Sequence, residues 1–105
     1  GRNVDKIRAV ELTATRSTLV DAPFLEEFPL ILECRLKQVV EIGLHTQFIG
    51  EIVDVKADAD ILGDKDVPEI EKLRPLLFSP GLRRYHGVGT AVGEAFSMGK
   101  KFLQK

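Results

Sequence analysis

A chain of 105 residues, 44% hydrophobic and 30% charged, has the length and balance of one small folded unit, which excludes two independent domains. Fifteen basic residues against sixteen acidic ones leave a formal charge of -1, so a general electrostatic grip on nucleic acid or anionic lipid is excluded. A single cysteine rules out an intramolecular disulfide and a cysteine-rich metal site, and no apolar run approaches the roughly 18 residues of a membrane span.

Val4, Ile7 and Val10 recur at helical spacing behind Asn3 or Asp5 as cap, which predicts a short helix over 4–12. Thr13 to Thr18 is rich in hydroxyls and Pro23 forces extended geometry before it, so a loop is expected, with a short strand near Ser17 to Val20. The strongest pattern follows. Leu30, Leu32, Cys34, Leu36, Gln38, Val40 and Ile42 alternate with Ile31, Glu33, Arg35, Lys37, Val39 and Glu41, the signature of a long half-buried strand. Gly43-Leu44 turns the chain, and His45 to Val55 resumes an extended pattern, so the two segments predict a long antiparallel hairpin. Gly50 inside the second strand marks a bulge or a close approach. Both faces of that strand are partly apolar, which predicts cover by another subunit or by further chain.

Ala57 to Asp66 is acidic and turn-like, Pro68 opens a short helix that ends before Pro75, and Leu76-Leu77-Phe78 and Arg83 to Gly87 form two brief extended pieces around Ser79-Pro80-Gly81. One helical turn is expected between Val92 and Met98. The start, Gly1-Arg2-Asn3-Val4-Asp5, has neither an initiator methionine nor a secretory leader, so a fragment or processed product is expected, in the cytoplasm.

Few residues announce chemistry by themselves. His45 and His86 lack a third ligand, and Asp58, Asp60, Asp64 and Asp66 do not match a calcium loop, so no metal site is expected. Cys34 reads as inert packing on an apolar face. Gly87-Val88-Gly89-Thr90-Ala91-Val92-Gly93 does not have dinucleotide-loop spacing. His45 is either a polar edge residue or a ligand-facing group at a pocket rim. Arg83, Arg84 and Tyr85 make either a solvated turn or a grip on phosphate or a planar ring.

Phe28-Pro29 leading to Leu32-Glu33-Cys34, then Gly43 to Val55 with its His-Thr-Gln-Phe-Ile-Gly core, resembles the flavoredoxin branch of the flavin reductase-like family. Lys72-Leu73-Arg74-Pro75, Phe78 to Tyr85 and Gly93-Glu94-Ala95-Phe96-Ser97 follow in that family's order, so the resemblance covers nearly the whole chain. It implies a mainly β fold, a partial antiparallel split β-barrel of the FMN-binding type with short helices. It also implies that residues 1–105 form the carboxy-terminal part of a single domain whose amino-terminal strands have no counterpart here.

By the same resemblance the cofactor is FMN. Lys6 matches a lysine that approaches the flavin phosphate, His45 a histidine near the cofactor, and Phe78 an aromatic beside the Pro-Gly turn. Apart from the resemblance, Lys6 reads equally as a solvated helix lysine and Phe78 as a core residue. Electrons would pass from NAD(P)H or a redox protein to an acceptor, with no catalytic side chain required. A homodimer, or pairing with an amino-terminal half, is expected. The alternative is a non-catalytic barrel fragment that needs a partner chain and does not bind flavin alone.

Overall fold

The computed structural model describes residues 2–103, and it is mainly antiparallel β with short helices. Three two-stranded sheets follow one another along the chain. β1 (Ala14–Arg16) pairs with β2 (Pro23–Leu25), β3 (Leu30–Ile42) with β4 (His45–Ala57), and β5 (Leu76–Ser79) with β6 (Arg84–Gly87). The helices are single turns, α1 (Lys6–Ala9) and α2 (Ile70–Leu73). The chain divides into two units after Leu73.

In the first unit, Asp5 caps α1 by accepting from the Arg8 N–H at 3.2 Å, which selects Asp5 over Asn3 as the cap and makes the helix shorter than its apolar periodicity suggests. The strand expected over Ser17 to Val20 lies elsewhere. Ser17 Oγ accepts from the N–H groups of Leu19 and Val20 at 3.2 and 3.3 Å, and its own N–H bonds Ala22 O at 2.9 Å. Those local bonds hold 17–22 as a turn, so the strands form on either side of it, as β1 and β2.

The long hairpin has the expected limits, with β4 extending two residues further, to Ala57. Gly43, at a φ of +56°, and Leu44 make its two-residue loop, a setting in which the right-handed strand twist favours glycine first. Two register shifts interrupt the ladder, at Glu33/Cys34 and at Leu36/Gln38, and they leave Val53 and Lys37 as the extra residues. Residues paired across a ladder share a face. Leu30, Leu32, Cys34 and Leu36 therefore lie with Ala57, Val55, Ile52 and Gly50, and beyond the bulge Val39 and Phe48 join them.

This corrects the simple alternation of β3. Gln38, Val40 and Ile42 do not continue the face of Leu36; they lie with Ile49, Gln47 and His45 on the other side, because one inserted residue moves every later side chain across the sheet. Gly50 meets both of its expectations. It stands beside the Lys37 bulge, and a Cβ there would lie 3.2 Å from that of Cys34. Half-burial of the apolar face is also corrected: Leu32 and Leu36 are exposed, and the buried residue of β3 is Glu33.

Beyond the hairpin, a 3-10 turn at Ala59–Ile61 carries Ile61, the buried hydrophobic residue among those described. α2 begins two residues after Pro68, with the Lys72 and Leu73 N–H groups bonded to Glu69 O. In the second unit, β5 and β6 pair around the Pro-Gly turn, and the tail has a turn closed by the Met98 N–H on Glu94 O at 3.3 Å before a 3-10 turn at Lys100–Phe102.

Candidate functional site

Each expected site residue is exposed and stands on a defined local element. Lys6 opens α1 directly after its Asp5 cap, with no ion-pair partner among the described residues. His45 is the first residue of β4, opposite Ile42 at the hairpin turn. On the other face of the same tip, Thr46 Oγ1 donates to Glu41 Oε2 at 2.9 Å and ties the strand ends together. Lys6 and His45 share the first unit, on separate elements, and no hydrogen bond among the described residues joins them.

Phe78 belongs to the second unit. It pairs with Tyr85 across the β5–β6 ladder, ring centroids 5.3 Å apart and planes tilted by 43°. Both rings are exposed, 57% and 71% respectively. Two aromatic faces are thus held beside one another in contact with solvent, an arrangement suited to a planar ring. Ser79 and Arg84 pair next along the ladder, and Arg83 sits in the turn at a φ of +53°.

Cys34, expected as inert packing, is exposed and free. His86 lies opposite Leu77, on the face of the small hairpin away from Phe78. An ammonium, an imidazole and an aromatic pair are the side-chain types that a phosphate, polar ring atoms and an isoalloxazine would require. In type and exposure the residues present fit a flavin.

A polar cluster escaped the sequence reading. Lys56 Nζ lies 2.7 Å from Asp54 Oδ2 and 2.9 Å from Glu33 Oε1, and 5.6 Å from the centroid of the Phe24 ring on β2. Glu33 is only 3% exposed; its Oε1 makes an ion pair with Lys56, and its Oε2 meets no donor among the described residues. Lys56 is held above the usual lysine range, by Asp54 first and Glu33 second, and Asp54 is held below the usual carboxylate range by its hydrogen bond from Lys56. The signal was available: counting back from the two-residue turn places Asp54 opposite Glu33 and Lys56 opposite Ile31.

Comparison with known proteins bears on the whole arrangement. The sequence profile of the flavin reductase like domain matches residues 1–89. Over 55 residues the chain is 40% identical to an uncharacterized protein of Archaeoglobus fulgidus, a match covering 52% of this chain and 31% of that protein. Over 79 residues it is 34% identical to an uncharacterized protein of Aeropyrum pernix, covering 75% of this chain and 29% of that one. Among solved structures, flavoredoxin of Desulfovibrio vulgaris (Miyazaki F) matches with a TM-score of 0.83 at 44% identity, over 94% of this chain and 52% of its own. Flavoredoxin from Methanosarcina acetivorans matches with a TM-score of 0.84 at 31% identity, over 97% of this chain and 53% of its own. The chain thus spans about half the length of those flavoredoxins, and its fold is a part of the antiparallel split barrel, left open.

Proposed function

The chain belongs to the flavin reductase-like family, and from that membership we propose that it supplies Lys6, His45 and Phe78 to an FMN site in an electron-transferring flavoprotein. The observation that carries the proposal is the exposed Phe78–Tyr85 pair, two ring faces in contact with solvent on a short hairpin. Lys6 would hold the phosphate, His45 polar atoms of the ring or ribityl chain, and Phe78 a face of the ring system. When bound, FMN would supply the electron-carrying chemistry; the protein groups would bind and orient it. NAD(P)H or a redox protein is the proposed donor. Residues 1–105 are read as the carboxy-terminal part of one domain, in a cytoplasmic homodimer.

The second reading, a non-catalytic barrel fragment unable to hold flavin alone, is favoured by one observation. Within the long hairpin of the first unit, Leu36, Phe48 and Ile52 share one face and are 59%, 68% and 54% exposed, an apolar surface of the kind that a partner covers. Titrating FMN into the chain, with flavin fluorescence as readout, separates the two. Saturable quenching weakened roughly tenfold by Lys6→Ala and by His45→Ala supports the flavin site. Absence of quenching supports the fragment reading.

A further inference from the structure

The charges of this near-neutral chain are unevenly placed. Nine basic and fifteen acidic residues precede Arg74, whereas six basic residues and a single acidic one, Glu94, lie from Arg74 onward, where the chain divides. The second unit is therefore cationic. Its β5–β6 ribbon has two different faces, because side chains alternate along each strand. Phe78 and Tyr85 lie on one, and the pairs Ser79–Arg84 and Leu77–His86 lie on the other. Arg84 and His86 are exposed, as is Leu77. Arg83 stands next to them in the turn, also exposed, at a φ of +53°. That left-handed conformation is sterically disfavoured for any residue but glycine, and strained positions of this kind gather at binding sites. No acidic side chain among the described residues pairs with either arginine.

We infer that the Arg84–His86 face, with Arg83, is the docking surface for an acidic one-electron carrier protein, the ribbon facing flavin on one side and the electron donor on the other. That the occupant carries electrons rests on the flavoprotein reading above; that it is acidic rests on the charges. Complementary charge steers and orients a partner, and arginines around an apolar side chain such as Leu77 are the composition of a small interface centre. Size agrees. Strands of four residues span about 13 Å, a patch that belongs with the contacts of transient electron-transfer partners, under about 1,200 Å² in total. A nicotinamide must bring its reacting atom within about 3–3.5 Å of the ring it reduces, whereas a face turned away from Phe78 suits a partner that passes electrons. Two reduced carriers, each losing one electron, would supply two electrons that with two protons from water convert one FMN to its dihydro form.

The test is isothermal titration of a plant-type ferredoxin, as the acidic carrier, into the FMN-free chain. Affinity is expected to fall more than about tenfold between about 20 and about 200 mM salt. Arg83→Glu and Arg84→Glu are each expected to weaken it about tenfold at low salt. Arg84→Lys keeps the charge and should retain most of the binding, and Lys65→Glu, an equal change of charge on the first unit, should bind as the parent does. Far-ultraviolet circular dichroism checks that each variant keeps the fold of the parent. FMN titrated into the same variants separates this inference from the flavin site: Arg84→Glu should quench flavin as the parent does, so loss of docking with quenching intact refutes the inference alone, and docking without quenching refutes the flavin site alone. Absence of ferredoxin binding at low salt, equal binding by Arg84→Glu, or equal affinity for a basic cytochrome c overturns the inference. Displacement of ferredoxin by equimolar NADPH overturns it in favour of a nucleotide phosphate, and self-association abolished by Arg84→Glu overturns it in favour of the acidic first unit of a second copy.

Discussion

Replacing Lys56 by methionine removes the cation from a carboxylate that has no other among the described residues. Glu33 is 3% exposed, its Oε1 lies 2.9 Å from Lys56 Nζ, and its Oε2 meets no donor among the described residues. A desolvated carboxylate left without its counter-charge costs about 3–5 kcal/mol, and partial access of water to this cluster puts Glu33 near the lower end, about 3 kcal/mol. Replacing Glu33 by leucine has a different consequence, because Lys56 then keeps Asp54 at 2.7 Å and remains in contact with water. In Glu33→Leu/Lys56→Met no buried charge is stranded. The double variant should therefore be more stable than Lys56→Met alone, by about 2 kcal/mol or more. Urea unfolding of the four forms, followed by far-ultraviolet circular dichroism, reads these differences as midpoint shifts at constant slope. Coincident midpoints for Lys56→Met and the double variant would refute the idea that Glu33 is a desolvated charge held by Lys56.

Asp54 lies below its ordinary value of 3.8 through the Lys56 hydrogen bond, and Glu27 lies below 4.5 through hydrogen bonds from the Thr13 side chain first and then its N–H. Their contribution to stability is present above the unfolded values and is lost as pH falls through the lower folded ones; Lys56, raised above 10.5, contributes below that value and ceases to as pH rises through its folded value. The urea midpoint measured against pH should thus decline on both sides of a neutral plateau. Gly43→Ala, at a φ of +56°, should destabilise the hairpin tip by about 1 kcal/mol and Gly43→Asn by less, read as faster amide exchange at His45, which closes the two-residue loop opposite Ile42. Ser17→Ala leaves the Leu19 and Val20 N–H groups without their acceptor and should cost about 1 kcal/mol in thermal unfolding, with β1 and β2 loosening first.

Elements governed by local chemistry were legible from the residues. Period-two alternation and a glycine-led two-residue turn fixed the long hairpin to within two residues, and a proline followed by Glu69 located α2. The misplaced strand near Ser17 shows a local bond that outranks β propensity: a serine hydroxyl satisfying two backbone N–H groups makes a turn of a threonine- and valine-containing stretch. Of the expected site residues the structure gives the setting: Lys6, His45 and Phe78 are each exposed, on α1, β4 and β5. The Glu33–Lys56 pair was not read because a glutamate among apolar strand residues was assigned to the solvent side. The Phe24 ring that lies 5.6 Å from Lys56 Nζ stands on β2, an element absent from the expected fold.

The two bulges explain why strict alternation misassigned the faces, and they explain the partly apolar second strand as well. In an uninterrupted ladder with the same turn, Glu51, Gln47, His45 and Gln38 would share a face with Leu32, Cys34 and Leu36, while Phe48, Ile52 and Val39 would lie with Glu33, Arg35 and Lys56. Each face would then be mixed. One extra residue on each strand, Lys37 on β3 and Val53 on β4, shifts the middle of the hairpin and lets the register return to its turn-set value at both ends. Leu32, Cys34, Leu36, Val39, Phe48, Ile52 and Val55 are thereby gathered on one side, while Glu33, Arg35, Gln38, Gln47, Glu51 and Lys56 lie on the other together with Ile31, Val40, Ile42 and Ile49. Sorting is selective in its effect: Asp54 still meets Glu33, so the ion-pair cluster forms, and His45 still meets Ile42, so the imidazole stays at the head of β4. The bulges thus leave His45, with Gln38 and Gln47, on the face opposite Leu32, Cys34 and Leu36, where the exposed imidazole is accessible to a polar ligand.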